Sequence, residues 1–284
     1  MAKYFVLYNG LSDNGNGLEN AKKLQEFYKG DELKYEDIIS IKDLKKFLND
    51  TKEQIILTGG DGTLNHFVNS VNEDDIPENL LYFAAGTGND FYHDISELEN
   101  TDKPILVKKY LINLPVATIN GKDYKFFNGV GYGIDGYCCE EADRIKDKDP
   151  SAKINYTSIA VKGLLFKFKP SNGKVSVDNK TYEFKKIWLA PVMKGKYYGG
   201  GMIPCPSQNR NSDKLSVLVW SKGAKLPTLM NFSNIFKGTH IKKEKHCKIL
   251  SGYDFVVEFD KPCAAQVDGE TVLNVTKVEI KAHR

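Results

Sequence analysis

The stretch QIILTGGDGTLN at residues 54–65 decides how the rest of the chain is interpreted. Its short apolar run ends in glycines, a pattern that predicts a buried strand followed by a turn. Thr63 is placed to cap a helix that begins after the turn. Apolar residues of that helix recur at i, i+3, i+4 and i+7 and so share one face: Leu64, Phe67, Val68 and Val71. The stretch therefore predicts a strand, a glycine turn and a helix in direct succession.

The glycines of this turn, Gly59, Gly60 and Gly62, favour a phosphate site. Without Cβ atoms they let an anion approach the backbone, and the N–H groups at the start of the helix point to the same spot. Asp61 would repel a bare phosphate, which indicates a role in holding Mg²⁺ on the phosphates or a substrate hydroxyl. The spacing is neither that of a Walker loop nor that of the dinucleotide fingerprint. The alternative is an ordinary strand-to-helix turn in which Asp61 only forms the turn.

The N-terminal part of the chain alternates between predicted strands and predicted helices. Strands are expected at residues 4–8, 34–39 and 80–84, and helices from about residue 18, around residues 44–48 and from Phe91. This alternation predicts a parallel sheet, whose ligands bind beyond the carboxyl ends of the strands. Asn9 opens the loop after the first strand. A second glycine loop follows the strand at 80–84: Gly86, Thr87, Gly88, Asn89 and Asp90. We expect all these loops to face one cleft, although the second loop alone also fits a turn with an Asn-Asp helix cap.

After Pro104 the pattern changes to short strands and turns. The pair Asn120-Gly121 predicts a hairpin over residues 111–128, and helices are expected near Cys139, at 154–168 and at 226–236. Closely spaced strands favour an antiparallel sandwich or barrel. We therefore predict an α/β nucleotide-binding domain at residues 1–112 and a β-sandwich substrate domain at 113–284, with the last residues a candidate for returning to the first domain. Near the end, Asp268-Gly269 in isolation is typical of a hairpin turn.

Composition narrows the function classes. The net charge of +3 and the mildly basic pI give no nucleic-acid signature, while abundant lysine fits a surface that meets anionic lipid. Five cysteines without a Cys-x-x-Cys pair indicate a reduced, cytoplasmic protein. No signal peptide is evident, and no apolar run approaches the ~18 residues of a membrane span, so membrane contact is expected to be peripheral, at the inner face.

Five motifs together carry a family resemblance. They are Gly59–Thr63 with Asn65, the loop 86–91, the glycine-rich segment from Asn128 to Asp135, the triple glycine 199–201 with Met202, Pro204 and Pro206, and Asp268-Gly269-Glu270. In this order the chain resembles the diacylglycerol kinase catalytic-domain family over nearly its full length. It is particularly similar to the soluble bacterial lipid kinases and more distantly to sphingosine and ceramide kinases. The first motif is shared with NAD kinases and 6-phosphofructokinases, but the combination is specific to lipid kinases.

The resemblance implies Mg²⁺-assisted transfer of the γ-phosphate of ATP to a lipid hydroxyl. The foremost acceptor that it implies is diacylglycerol, which would give phosphatidic acid. It places phosphates at Gly60, Gly62, Thr63 and Thr87, with Asn9 and Asn65 assisting, and the adenosine near Ser40. Asp61 and Asp90 are implied to hold Mg²⁺ or orient groups around it. Asp268 or Glu270 is implied to accept the hydroxyl proton, and the sequence does not separate the two. Both would lie across the cleft from the glycine loops.

Two departures from the family pattern stand out. The first loop has Asn9-Gly10 instead of Asn-Pro, and Asp13 with no lysine nearby. The segment Asn211-Ser212-Asp213-Lys214 replaces an Asp-Asp-Gly that holds a structural Mg²⁺ in some relatives, so Asp213 is the remaining candidate ligand.

Several alternatives stay open. The chain fits an NAD kinase-like small-molecule kinase, or a pseudokinase that binds nucleotide or lipid without turnover. Residues 232–248 mix aromatic and basic side chains, which suits either a membrane surface or a solvated lysine-rich loop. The acceptor lipid is not identified by the sequence, and a homodimer is plausible only by the resemblance.

Overall fold

A computed structural model describes residues 3–85, 89–149 and 151–283. The chain divides into two compact units, Met1–Asn113 and Leu114–Arg284. The first is an α/β unit with a mostly parallel sheet and the second is rich in antiparallel strands. The predicted fold class is therefore confirmed.

The sheet of the first unit has five strands in the order β2-β1-β3-β4-β5. The strands are β1 (Lys3–Tyr8), β2 (Glu32–Asp37), β3 (Gln54–Gly59), β4 (Leu81–Ala84) and β5 (Ile105–Leu106). The first four pair in parallel, and β5 runs antiparallel to β4. Because parallel strands end at the same edge, the loops after β1 to β4 open at one side of this unit.

Among the described residues, six α-helices accompany this sheet. They are α1 (Ser12–Gly15), α2 (Gly17–Lys22), α3 (Leu44–Asp50), α4 (Asp61–Ser70), α5 (Asp90–Glu99) and α6 (Lys108–Leu111), with 3₁₀ turns at Lys23–Glu26, Ile38–Ser40 and Glu73–Asp75. Helix α4 buries Leu64, Phe67 and Val68, as the spacing predicts. Because α4 begins at Asp61, directly after Gly60, the prediction that Thr63 caps it was wrong: Thr63 lies inside the first turn and its N–H donates to the Gly60 carbonyl at 3.0 Å.

The second unit contains ten strands, all paired in the antiparallel sense. They are β6 (Val116–Ile119), β7 (Lys122–Lys125), β8 (Gly129–Tyr132), β9 (Ser171–Val177), β10 (Lys180–Leu189), β11 (Val192–Met193), β12 (Leu215–Ser221), β13 (Cys247–Gly252), β14 (Asp254–Val267) and β15 (Glu270–Lys281). The order is β7-β6-β15-β14-β8-β11-β12-β10-β9, with β13 paired to β12 off this path, and β9 pairs back with β14. Six strands from β14 to β9 thus form a closed ring around a core that includes Val130, Val217 and Phe255. Strand β15 lies in this sheet between β14 and β6.

The described part of the second unit has three α-helices: α7 (Ile134–Lys148), α8 (Tyr156–Lys162) and α9 (Lys225–Phe232). Helix α8 continues as a π turn at Gly163–Lys167, and α9 is followed by 3₁₀ turns at Ser233–Lys237 and Thr239–Lys242. The three helices share a second core with Trp188 and Trp220. Helix α7 begins five residues before the expected Cys139, because Gly133 adopts a positive φ of 103° and turns the chain directly into it.

The predicted hairpin at Asn120-Gly121 is confirmed between β6 and β7, with φ of 52° and 78° at the two turn residues. The strand before it is shorter than expected, since Lys108–Leu111 is helical. In the described parts of the chain, no helix has the length and apolar character needed to cross a membrane.

Candidate functional site

The carboxyl edge of the first sheet collects most of the predicted nucleotide residues. Asn9 follows β1, Ser40 follows β2, and Gly60 follows β3, while Asn89 lies after β4 and immediately before α5. The predicted residues Gly86, Thr87 and Gly88 lie outside the described residues. Within the first unit, the structure therefore brings the other predicted loops to one edge.

The glycine turn after β3 is closely packed. A Cβ on Gly59 would lie 2.5 Å from the Thr63 hydroxyl oxygen, so no larger residue fits there without displacing Thr63. Thr63 itself is buried. Because α4 starts at Asp61, the positive end of its helix dipole lies at the turn. This geometry suits an anion such as a phosphate.

The carboxylate of Asp61 links the two glycine loops. Its Oδ2 accepts a hydrogen bond from the Asp90 N–H at 2.9 Å, and its Oδ1 accepts one from the Phe91 N–H at 3.2 Å. Asp61 therefore caps the N-terminus of α5 from the first residue of α4, and Asp90 is buried beside it. Its predicted role toward Mg²⁺ or a hydroxyl stays a prediction.

Asp37, which the sequence reading did not single out, joins the loops after β1 and β2. Its Oδ1 accepts hydrogen bonds from the Gly10 N–H at 3.1 Å and the Ile39 N–H at 3.2 Å. The second bond winds Ile38–Ser40 into a 3₁₀ turn, so the strand predicted at 34–39 ends at Asp37. The Ser40 hydroxyl donates to the Asp37 carbonyl at 2.7 Å. An acidic residue at the end of a strand is the signal that could have identified it.

Asn9 and Asn65 make local contacts. The side-chain oxygen of Asn9 accepts the Leu11 N–H at 2.9 Å, and its carbonyl accepts the Ser12 N–H at 3.0 Å. The Asn65 carbonyl accepts a hydrogen bond from the Asn69 amide at 3.0 Å. Both asparagines thus shape their own loop or helix, and their assistance to a phosphate stays a prediction.

In the second unit, Asp268 sits in the two-residue turn between β14 and β15. Its φ is 47°, and that of Gly269 is 97°, so the hairpin interpretation of this pair is correct as local structure. The buried carboxylate also accepts three backbone hydrogen bonds, from Phe127 at 2.8 Å and from Asn128 and Gly129 at 2.9 Å each. Burial raises the pKa of Asp268 to about 6, and the three N–H donors oppose that rise.

Arg210 reinforces the same segment. This buried guanidinium donates to the Phe127 carbonyl at 2.5 Å and to the Asn128 side-chain oxygen at 2.8 Å. The Asn128 carbonyl accepts the N–H groups of Lys194 and Gly195 at 2.9 Å. Arg210 was missed from the sequence, where nothing distinguishes it from a surface arginine.

Glu270 differs from Asp268 in its surroundings. It is the first residue of β15, is exposed, and lies opposite Val267 in the ladder. The two candidate bases are therefore two positions apart in sequence, one enclosed and one open to solvent.

Asp135 and the triple glycine, which the sequence presents as separate motifs, meet in the second unit. Asp135 is buried in the first turn of α7 and its Oδ1 accepts a hydrogen bond from the Tyr198 hydroxyl at 2.9 Å. Tyr198 and Met202 exchange backbone hydrogen bonds of 3.1 and 3.0 Å, and the three intervening glycines have φ of 59°, 83° and 94°. Among the described residues Oδ2 of Asp135 has no hydrogen-bond partner, and burial raises the pKa of this carboxyl to about 7.

The predicted metal residue Asp213 is exposed. Within the described ranges, no group of three or more His, Cys, Asp or Glu side chains could hold a metal ion. In the same segment the Lys194 ammonium donates to the Ser212 carbonyl at 2.9 Å, so a cationic side chain already binds this loop. A Mg²⁺ at Asp213 stays a prediction.

Comparison with known proteins explains why these motifs occur together. The model of the diacylglycerol kinase catalytic domain matches residues 3–111, and that of the "YegS C-terminal NAD kinase beta sandwich-like domain" matches residues 128–281. The second match alone covers more than half of the chain. The chain therefore belongs to the family that this second model describes, and its first unit carries a diacylglycerol kinase catalytic domain.

Individual relatives are distant. The "Putative lipid kinase YtlR" of Bacillus subtilis is 23% identical over 245 residues, which cover 77% of each chain. The "Diacylglycerol kinase" of Mycobacterium tuberculosis is 24% identical over 199 residues, 68% of this chain and 63% of that protein, which is less than two thirds of its length. A solved structure described as "A putative diacylglycerol kinase from Bacillus anthracis str. Sterne" has the same fold, with a TM-score of 0.65, 20% identity and coverage of 99% and 93%.

Proposed function

We propose that this protein is an ATP-dependent lipid kinase that transfers the γ-phosphate to the hydroxyl of a membrane lipid, with diacylglycerol as acceptor and phosphatidic acid as product. The observation that carries the proposal is the match of both domain models in succession along the chain. The names of the relatives, lipid kinase and diacylglycerol kinase, support the same reaction class. The reaction would take place at the inner face of the membrane.

The donor phosphates of ATP would bind at the turn between β3 and α4. The N-terminus of α4, which begins at Asp61, lies at this turn and favours an anion there. Such a loop positions the γ-phosphate, which is most of what phosphoryl transfer requires from a protein.

The residues present also fit a Mg²⁺ ion bound in the usual way, through one carboxylate together with substrate phosphates and water. Each carboxylate oxygen of Asp61 accepts one backbone N–H, and a carboxylate is a ligand type that Mg²⁺ prefers. Bound there, Mg²⁺ would neutralise charge on the phosphates. Asp61 would hold it while keeping α5 in place.

The proton of the acceptor hydroxyl would pass to Asp268 or Glu270. Since the pKa of Asp268 is raised to about 6, its carboxylate is ionised at neutral pH and able to accept a proton. Glu270 is exposed to solvent. A positioned carboxylate base contributes about 10²–10⁴-fold to such a reaction.

The test is phosphorylation of mixed micelles by the purified protein with Mg²⁺ and γ-labelled ATP. The acceptor panel contains diacylglycerol, monoacylglycerol, a long-chain polyprenol, a sphingoid base and NAD. We expect label in diacylglycerol, a fall in kcat of about 10²–10⁴-fold in Glu270→Gln or Asp268→Asn, and unchanged ATP binding in the affected variant. Glu279→Gln, on the same strand as Glu270, is the matched control.

Other outcomes would redirect the proposal. Label in NAD would favour the small-molecule kinase, which the description of the second domain model keeps in view. ATP binding without label in any acceptor would favour a pseudokinase. Full activity in both carboxylate variants would remove Asp268 and Glu270 from the reaction.

A further inference from the structure

Three large apolar side chains of the second unit are strongly exposed. Phe166, in the turn Gly163–Lys167, is 75% exposed, and Leu226 and Met230 in α9 are 61% and 71% exposed. We call these three residues the apolar tip. Exposed apolar groups that cluster on a protein surface mark places where it meets another apolar phase.

The apolar tip is one surface because its two segments are in contact. Helix α9 packs against the turn Gly163–Lys167, and the Lys225 ammonium donates to the Leu165 carbonyl at 3.0 Å. The opposite face of α9 is buried through Thr228, Asn231 and Phe232. Leu226 and Met230 are four residues apart and therefore lie together on the solvent side.

The sequence around the apolar tip is strongly basic. Residues 154–170 and 214–243 contain nine lysines and no Asp or Glu, whereas the whole chain has 40 Lys and Arg against 37 Asp and Glu. Four of these lysines lie in or near the elements that carry the tip and are exposed: Lys162, Lys167, Lys169 and Lys237. The remainder of the chain consequently has an acidic excess, so these two stretches carry the net positive charge of the sequence.

We propose that this surface docks on an anionic lipid bilayer. Phe166, Leu226 and Met230 enter the boundary between headgroups and acyl chains, and the surrounding lysines bind the lipid phosphates. Amphipathic surfaces bind anionic membranes through this combination of apolar residues and neighbouring lysines. The segment 232–248, considered from sequence, contributes lysines; of its two phenylalanines, Phe232 is only 6% exposed and faces the core, whereas Phe236 is 37% exposed.

The docking surface is also fixed to the helix that carries Asp135. A Cβ on Gly163 would lie 2.5 Å from the Tyr137 ring, so the turn packs tightly on the start of α7. Docking would give access to a membrane-resident acceptor, and this purpose rests on the proposed function. The apolar and basic residues that would bind the bilayer are independent of that function.

The experiment is co-sedimentation of the full chain with vesicles of phosphatidylcholine, alone and with added phosphatidylglycerol. The apolar variant combines Phe166→Ser, Leu226→Ser and Met230→Ser, and the charge variant combines Lys162→Gln, Lys167→Gln and Lys237→Gln. The control for the apolar variant combines Leu98→Ser, Leu106→Ser and Leu273→Ser. The control for the charge variant combines Lys146→Gln, Lys148→Gln and Lys261→Gln. Circular dichroism establishes that each variant is folded.

We expect the charge variant to bind anionic vesicles on the order of 100-fold more weakly, at about fivefold per lysine. The apolar variant should lose at least about tenfold. Both controls should stay close to the parent protein. Binding by the variants equal to that of their controls would overturn the proposal. So would a concentration-dependent dimer in vesicle-free sedimentation that the apolar variant abolishes, since a second copy would then cover the tip.

A kinase assay separates this inference from the proposed function. With a short-chain, water-dispersed diacylglycerol the apolar variant should keep its turnover, whereas with the same lipid class embedded in anionic vesicles it should lose turnover. If the parent protein docks but phosphorylates no lipid, docking stands and the proposed function fails. Equal turnover of parent and apolar variant on embedded lipid would instead reject docking.

Discussion

Asp61 and Asp268 each stand in a glycine-containing turn, one in each unit, and each binds consecutive backbone N–H groups of a segment distant in sequence. Asp61 receives two such bonds, from the first turn of α5, and Asp268 receives three, from residues 127–129. Asp61 is partly exposed, whereas Asp268 is buried near the Arg210 guanidinium. Both residues are therefore structural clamps as well as candidates for chemistry.

The two clamps differ in what would happen to their N–H donors if the carboxylate were removed. The N–H groups of Asp90 and Phe91 bond to a carboxylate that is partly exposed, so water reaches this contact more readily. The N–H groups of 127–129 are enclosed, and a buried donor left without an acceptor costs about 1–3 kcal/mol. Asp268 should thus matter far more for stability than Asp61.

The largest effect is expected for Asp268→Ala. Three buried donors lose their acceptor, so the free energy of unfolding should fall by about 3–5 kcal/mol in urea denaturation of the purified protein. Asp268→Asn keeps one oxygen and should lose less. A loss below about 1 kcal/mol would show that the clamp contributes little to stability.

A smaller effect is expected for Asp61→Ala. Loss of a helix cap lowers the free energy of unfolding by about 0.5–2 kcal/mol, measured in the same way. Asp61→Asn, which retains one acceptor oxygen, is the matched variant. A loss as large as that of Asp268→Ala would contradict the distinction between the two clamps.

Asp135 sharpens the comparison because it is buried like Asp268 but accepts a single hydroxyl donor among the described residues. Its pKa is raised from 3.8 to about 7, so the native state favours the protonated carboxyl. Its contribution to stability is complete below about pH 4 and is lost as the pH rises through about 7. In thermal melts, the Tm of Asp135→Asn should rise relative to that of the parent protein as the pH increases from about 4 to about 7. A pH-independent difference between them would mean that Asp135 stays ionised throughout.

Local patterns predicted the local structure well. The run at 54–59 forms β3 because it is apolar and ends in glycine, and Asn120-Gly121 forms a hairpin because both residues accept positive φ. The family resemblance located both Asp61 and Asp268. It gave no indication of what their carboxylates contact.

Contacts across long stretches of sequence could not be predicted. Asp268 and the N–H of Phe127 are 141 residues apart, and Arg210 reaches the same segment from 83 residues away. No periodicity in the sequence indicates that Arg210 is buried or that Asp135 contacts Tyr198. These features arise only when the ring of strands closes.

The pairing of β14 with β15, β8 and β9 has a consequence for how the protein is made. On the ribosome, residues 3–106 contain every strand of the first sheet, so that sheet can form while translation continues. The second unit cannot close until β14 has emerged, well over a hundred residues after β6, and such distant pairings form slowly. In the interval its half-built strands present open edges, and the nascent chain depends on cellular chaperones most at that stage.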